Sequence, residues 1–270
     1  MTTYKIAAMG GDGIGPEVVK AGVQVLNVCA ERDGGFKMQF TDFDWGSDYY
    51  KKHGVMMPAD GANQLRKFDA ILFGAVGAPD IPDHITLWGL RLAICHCVTK
   101  SNAQRHAMVM WDEIAAEVAA EFPDVTWDKM LVDAMTMRMV MKPQTLDTIV
   151  ATNLHADILS DLAAAALAGS LGIAPTANIN PERDAPSMFE PIHGSAFDIT
   201  GKGIANPVAT FWTAAMMLEH LDEKPAAARL MKAIEHVTAD PSLHTPDLGG
   251  KATTKKVTDA VCEALWQTND

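Results

Sequence analysis

The sequence predicts an α/β fold with a mostly parallel sheet and flanking helices, and three observations carry that expectation. Segments of strand and helix character alternate along the chain. The run Phe68–Val76 (FDAILFGAV) is almost continuously apolar, as suits a strand covered on both faces. A short apolar strand, Lys5–Met9, leads through a glycine-rich turn directly into a helix opened by Pro16.

Taken in order, the helix from Pro16 to about Arg32 presents Val18, Val19, Val23, Val25, Leu26 and Val28 as a broad apolar face, with Glu17 at its positive end. Phe36, Met38 and Phe40 alternate as in a half-buried strand. Trp111–Glu121 reads as an amphipathic helix, Lys129–Ala134 and Asp147–Ala151 as strands, and Leu154–Ala168 as a helix. A loop-rich stretch, Pro175–Pro207, precedes helices at Val208–Leu221 and about Lys255–Trp266. There is no internal repeat, low-complexity tract or linker, so domains are expected to interleave rather than run in series.

The bulk properties exclude several function classes. The 270 residues suffice for a substantial core, and 48% hydrophobic with 21% charged residues is the balance of a folded protein. A net charge of -12 and a pI near 5.1 argue against nucleic acid or an anionic membrane as partner. An anionic substrate must then be held by a local cationic site. The N-terminal apolar run is too short for a signal peptide, and no stretch approaches the roughly 20 apolar residues of a membrane span. The four cysteines, Cys29, Cys95, Cys97 and Cys262, form no disulfide framework, so a cytoplasmic setting is expected.

The turn Gly10-Gly-Asp-Gly-Ile-Gly-Pro-Glu17 invites comparison with a dinucleotide fingerprint, but Gly11, Gly13 and Pro16 break the G-x-G-x-x-G spacing. By itself it reads as a tight strand-to-helix turn that needs positive φ. Its context says more. Ile6–Glu17 (IAAMGGDGIGPE), Leu72–Gly77 (LFGAVG) with Pro82–Gly89 (PDHITLWG), Lys100–Asn102 (KSN), Val132–Met135 (VDAM), Asn153–Leu162 (NLHADILSDL) and Phe189–Ile199 (FEPIHGSAFDI) occur in one order over nearly the whole chain. Together they resemble the β-decarboxylating dehydrogenases of the isocitrate/isopropylmalate dehydrogenase family, and the tartrate and D-malate branch in particular. The resemblance implies an isopropylmalate-dehydrogenase-like fold. Its larger, cofactor-binding domain would combine residues 1–94 with 169–270. A truncated metal, substrate and dimerisation domain would span 95–168.

Asp157 and Asp161 stand one turn apart on a predicted helix face, where two carboxylates repel unless something positive lies between them. With Asp133 at a strand end they offer hard oxygen ligands suited to Mg²⁺ or Mn²⁺. Spacing alone favours an exposed, solvated pair. The resemblance reverses that preference: it implies a divalent-cation site of Asp133, Asp157 and Asp161, with Asp133 drawn from a second copy of the chain and therefore a homodimer. It also implies that Leu162–Ala168 (LAAAALA) is one residue longer than usual, which in a regular helix would rotate every later residue by about 100°.

Lys100, by default a surface lysine, matches a catalytic base that takes the proton of a substrate C2 hydroxyl, with Asp133 also at the catalytic centre. The stretch Glu190–Asn206 matches the loop around the adenosine end of a nicotinamide cofactor. Ile14, Glu190, His193, Gly194, Ser195, Ala196, Asp198 and Asn206 are the implied contacts. A carboxylate at Asp198 accepts hydrogen bonds from ribose hydroxyls and repels a 2′-phosphate, so NAD is expected over NADP.

One block of the pattern is missing. The family's three substrate arginines, its tyrosine acid and its dimer-clasping arm should fall between Leu92 and Val98, yet the chain runs straight from Leu90 to Lys100. Arg91 and Arg105 flank the gap without matching a family arginine, and Tyr4, Tyr49 and Tyr50 are all N-terminal. Cys95-His96-Cys97 is too tightly spaced for zinc and reads as a junction strand. Three readings stay open: an active dehydrogenase for a small dicarboxylate with an altered pocket, a non-catalytic NAD- and metal-binding homologue, and a deletion product with an impaired second domain.

Overall fold

The computed structural model describes residues 1–80, 105–121, 128–146 and 149–267. The chain forms two units: Met1–His96 with Ala168–Asp270, and Cys97–Leu167.

The first unit is organised on a sheet of order β2-β1-β3-β5-β4. Its strands are β1 (Thr2–Gly11), β2 (Phe36–Phe43), β3 (Ala70–Ala75), β4 (Pro175–Asn178) and β5 (Ser187–Pro191). β2, β1, β3 and β5 run parallel, and β4 closes the edge antiparallel to β5. The period-2 alternation of a strand feeds two cores. Ile6, Ala8, Ala70, Leu72 and Phe189 point into one core shared with α1 (Gly15–Asp33), α7 (Val208–His220), α8 (Lys224–Thr238) and α9 (Thr254–Gln267). Ala7, Met9, Ile71, Phe73 and Met188 point into the other, with Trp45, Met56 and Leu65 beside α2 (Ser47–His53) and α3 (Gly61–Leu65). β3 is buried at every position because both its faces are covered, as its unbroken apolar run requires.

The stretch expected to be loop-rich, Pro175–Pro207, contains β4 and β5; each is five residues or fewer, too short to show a period. The helix α8 is a further addition to the expected elements, although its apolar residues recur at helical spacing in Ala226, Ala227, Leu230, Ala233, Ile234 and Val237.

The second unit contains α4 (Arg105–Ala120), α5 (Val132–Met141) and α6 (Asn153–Ala163). Two strand expectations fail here. Lys129–Ala134 enters α5, so Asp133 lies in the first turn of a helix rather than at a strand end. Methionine-rich sequence favours helix, and no neighbouring strand among the described residues overrides it. Residues 149–152 have no regular structure, while Asp147 and Thr148 lie outside the described residues. After α6 the chain forms a π turn at Ala164–Ala168. A π turn accommodates one additional residue within a helix, so an insertion in this alanine run would be taken up locally. No helix among the described residues is long and apolar enough to cross a membrane.

Candidate functional site

In an open parallel sheet, ligands gather where strands end at their carboxyl edge, because loops and helix starts converge there. β1, β3 and β5 end together on that edge. The exit from β1 is tight: Gly11 has φ +68°, and a Cβ on it would sit 2.0 Å from the Ala75 carbonyl oxygen. Gly13 has φ +61°, and its Cβ would fall 1.8 Å from the Ser195 carbonyl oxygen. The glycines are therefore required by backbone contact as well as by φ. Ile14 N–H donates to that same Ser195 carbonyl at 2.8 Å, which docks the loop after β5 onto the turn after β1.

The loop after β5 carries several of the expected residues. Glu190 is buried in β5 and accepts from Asn178 Nδ2 at 3.3 Å. His193 is half-buried, and its Nδ1 lies 3.1 Å from the Gly194 carbonyl. A carbonyl can only accept, so Nδ1 carries the proton and Nε2 of the neutral ring is an acceptor. That Nε2 is enclosed and has no partner among the described residues. Burial lowers the His193 pKa below its ordinary value, against the raising pull of the Gly194 carbonyl. Ser195 is 8% exposed, and its Oγ also has no partner among the described residues. Ala196 holds φ +43°, a left-handed conformation that costs a β-carbon-bearing residue about 1–2 kcal/mol. Gly194 and Asp198 are exposed.

Asn206 is placed by Asp247, a residue without a distinguishing mark in the sequence. Its Nδ2 donates to Asp247 Oδ2 at 2.9 Å, and its Oδ1 accepts from Val208 N–H at 3.1 Å. Asp247 also accepts from Ser170 Oγ and Thr245 Oγ1, both at 2.5 Å. Burial alone would raise its carboxyl, but these three side-chain donors outweigh burial and hold it below the usual carboxylate range. The signal that could have pointed to it is Asp247-Leu-Gly-Gly, a turn-forming run too common to stand out.

The metal candidates lie in the second unit. Asp157 and Asp161 share α6, and partial burial first, then the charge of Asp157, raises the Asp161 carboxyl above its ordinary value. The Asp157 contribution is the repulsion of two like charges one helical turn apart. Asp133 stands in the first turn of α5. Among the described residues of the single chain, no group of three or more His, Cys, Asp or Glu side chains converges as a metal site. Lys100, with the motif around it and Cys95-His96-Cys97, lies outside the described residues.

Comparison with known proteins identifies the family. A family model described as isocitrate/isopropylmalate dehydrogenase matches residues 5–91 and 91–261. The "Probable tartrate dehydrogenase/decarboxylase TtuC" of Agrobacterium vitis is 57% identical over 358 residues, covering 100% of this chain and 98% of that protein. The D-malate dehydrogenase [decarboxylating] of Escherichia coli strain K12 is 38% identical over 361 residues, covering 98% and 99%. The crystal structure of isocitrate dehydrogenase from Methylococcus capsulatus superposes with TM-score 0.81 at 28% identity, over 97% of this chain and 99% of that one. The Agrobacterium alignment is 358 positions long and this chain supplies 270 residues, so at least 88 positions have no counterpart. The two blocks of the family match abut at residue 91, which places the break at the near edge of the Leu92–Val98 interval. The chain thus belongs to the isocitrate/isopropylmalate dehydrogenase family, with an internal block of its relatives' sequence absent at Arg91.

Proposed function

We propose that this chain is an NAD- and divalent-metal-dependent dehydrogenase that oxidises and decarboxylates a small 2-hydroxy dicarboxylic acid such as tartrate or D-malate. We propose further that its turnover is impaired by the absent block, and that it works in the cytoplasm as a homodimer. The observation that carries the reading is the docked loop after β5. It brings His193 Nε2 and Ser195 Oγ, both enclosed and without protein partners among the described residues, to the carboxyl edge of a parallel sheet. Buried polar atoms are usually partnered, so these two are atoms that a ligand could complete.

NAD would supply the hydride acceptor, and Mg²⁺ or Mn²⁺ would supply a Lewis acid at the substrate C2 oxygen. The chain's own part is proton handling and positioning. Lys100 is the proposed acceptor of the C2 hydroxyl proton. Asp157 and Asp161, whose repulsion a cation would relieve, are two of the proposed metal ligands, and Asp133 of a second copy is the third. A second copy also suits the surface of the second unit. Val109, Met110, Ile114 and Val118 on α4 are exposed at 47% or more, apolar side chains that a second copy would cover.

The second reading, a non-catalytic NAD- and metal-binding homologue or deletion product, is favoured by the loss of at least 88 positions at Arg91. NADH production from tartrate and D-malate with Mn²⁺ decides between the two, alongside calorimetric titration with NAD and NADP. Weak but Mn²⁺-dependent turnover supports the first reading, and NAD binding with no turnover supports the second. Asp198→Lys should shift preference toward NADP; tighter NADP binding by the unmutated protein overturns the NAD assignment.

A further inference from the structure

Asp12 is the buried carboxylate of the glycine turn, 6% exposed. Its Oδ1 accepts from Ser47 N–H at 2.8 Å. Its Oδ2 accepts from Ser47 Oγ–H at 2.6 Å and from Gly77 N–H at 2.8 Å. Its own N–H donates to the Ala75 carbonyl at 2.8 Å. One side chain therefore ties together the exits of three adjacent parallel strands: β1 at Asp12, β2 at Ser47 and β3 at Gly77. Gly77 takes φ +131°, open only to glycine, and a Cβ built on it would lie 3.9 Å from Ser195 Oγ. Two residues past Asp12, Ile14 N–H holds the Ser195 carbonyl. Ser195 is thus gripped from the turn that Asp12 anchors and faces the glycine that Asp12 anchors.

We infer that Asp12 is a positioning residue that sets Gly77 against Ser195 and so fixes the cleft in which the cofactor would lie. The inference rests on the NAD reading above only for what fills the cleft. Asn cannot do the work of Asp here. All three donors need acceptor oxygens on both sides of the carboxylate. An amide in either orientation therefore turns its NH₂ toward a backbone N–H, that of Ser47 or that of Gly77. A buried donor facing a donor forfeits its hydrogen bond outright.

The test compares Asp12→Asn and Ser47→Ala with the unmutated protein by calorimetric titration with NAD, thermal melting, and amide hydrogen exchange of segments 10–15, 75–77 and 193–197. Asp12→Asn should weaken NAD binding about tenfold at temperatures far below its melting point, with faster exchange in all three segments together. Ser47→Ala removes one hydroxyl donor but neither backbone donor, so it should fold, bind NAD within about threefold of the parent, and loosen 75–77 least. A role confined to stability would lower the melting temperature and leave NAD affinity and 193–197 exchange unchanged, which overturns the inference. If the unmutated protein does not bind NAD, the functional reading falls. Exchange at 193–197 in Asp12→Asn then decides the positioning role by itself. Should Asp12→Asn fail to fold, Asp12→Ser, which keeps one short acceptor in place of two oxygens, replaces it: faster exchange at 193–197 there supports the role, and parental exchange overturns it.

Discussion

His193 shows how one ring can report on the site. Its folded-state pKa is lowered, burial being the larger cause, so the fold prefers the neutral ring. Linkage gives the sign. The contribution of this group to stability is fully present above the ordinary histidine value of 6.5 and is lost as pH falls through the depressed folded value. Protonation also converts Nε2 from acceptor to donor. NAD affinity should therefore fall on acidification from neutrality to about pH 5, and His193→Phe should flatten that dependence; a parent titration curve unchanged over the range would refute it. The Asp161 carboxyl moves the other way, raised by partial burial and by Asp157, so its ionised form is less favourable in the fold than in the unfolded chain. Asp161→Asn should keep or slightly raise the melting temperature without metal and should abolish stabilisation by Mn²⁺. For the parent, saturation at 100 times the dissociation constant is worth about 2.7 kcal/mol. An equal Mn²⁺ shift in parent and variant would remove Asp161 from the metal site. His193, Ser195 and the three aspartates stand out in the sequence because whole motifs carry them. Asp12 and Asp247 are not, because what they do depends on which distant donors meet them, Ser47 and Gly77 in one case and Ser170 and Asn206 in the other.

At the scale of elements, the long apolar segments are the clearest. β1, β3, α1, α7 and α9 fall where apolar run and helical periodicity place them, because each is decided by its own burial pattern. β4 and β5 are short and defined by their partners, and their sequences, PTAN and SMFEP, carry no local signature of a strand. The failed strand at Lys129–Ala134 has a related cause. Its apolar residues suit a buried strand when taken alone, but they continue into a ten-residue helix with few buried positions. The π turn Ala164–Ala168 comes after Asp157 and Asp161, so the α-helical spacing of that pair within α6 is untouched. The central strand offers the sharpest stability test. Leu72 is fully buried between β1 and β5 on the helix-covered face. Leu72→Ala should lose about 2–5 kcal/mol in denaturant unfolding, whereas Val55→Ala, at an exposed position, should change stability by about 0.5 kcal/mol or less. Equal effects at the two sites would mean that the sheet core is not where stability resides.

For the whole molecule, the proposed function turns on missing charge. The net charge of -12 repels a dicarboxylate, so binding depends on cations placed at the site. The resemblance puts three arginines and a tyrosine acid in the block that is absent at Arg91, and the flanking Arg91 and Arg105 match none of them. A cation and Lys100 together could hold the hydroxyl and one carboxylate. On the proposed function, the second carboxylate then lacks the family's bidentate partner, and the enol that loss of CO₂ would leave lacks the family's acid. Loss of a general acid alone is worth about 10²–10⁴-fold, and lost positioning adds several kcal/mol more to the barrier. Restoring the block should therefore restore the rate. Grafting the corresponding segment of the Agrobacterium vitis relative at Arg91 should raise kcat with tartrate or D-malate and Mn²⁺ by at least about 10², while NAD affinity stays near that of the parent. The loop after β5, the proposed cofactor loop, belongs to the first unit, on the far side of the junction in sequence, so the graft has no reason to alter it. A parent enzyme that already turns over at the rate of the grafted one would show that Arg91, Arg105 or a second copy of the chain supplies the charge. A graft that folds, binds NAD and Mn²⁺ and remains inactive would show that the defect lies elsewhere than in the missing block.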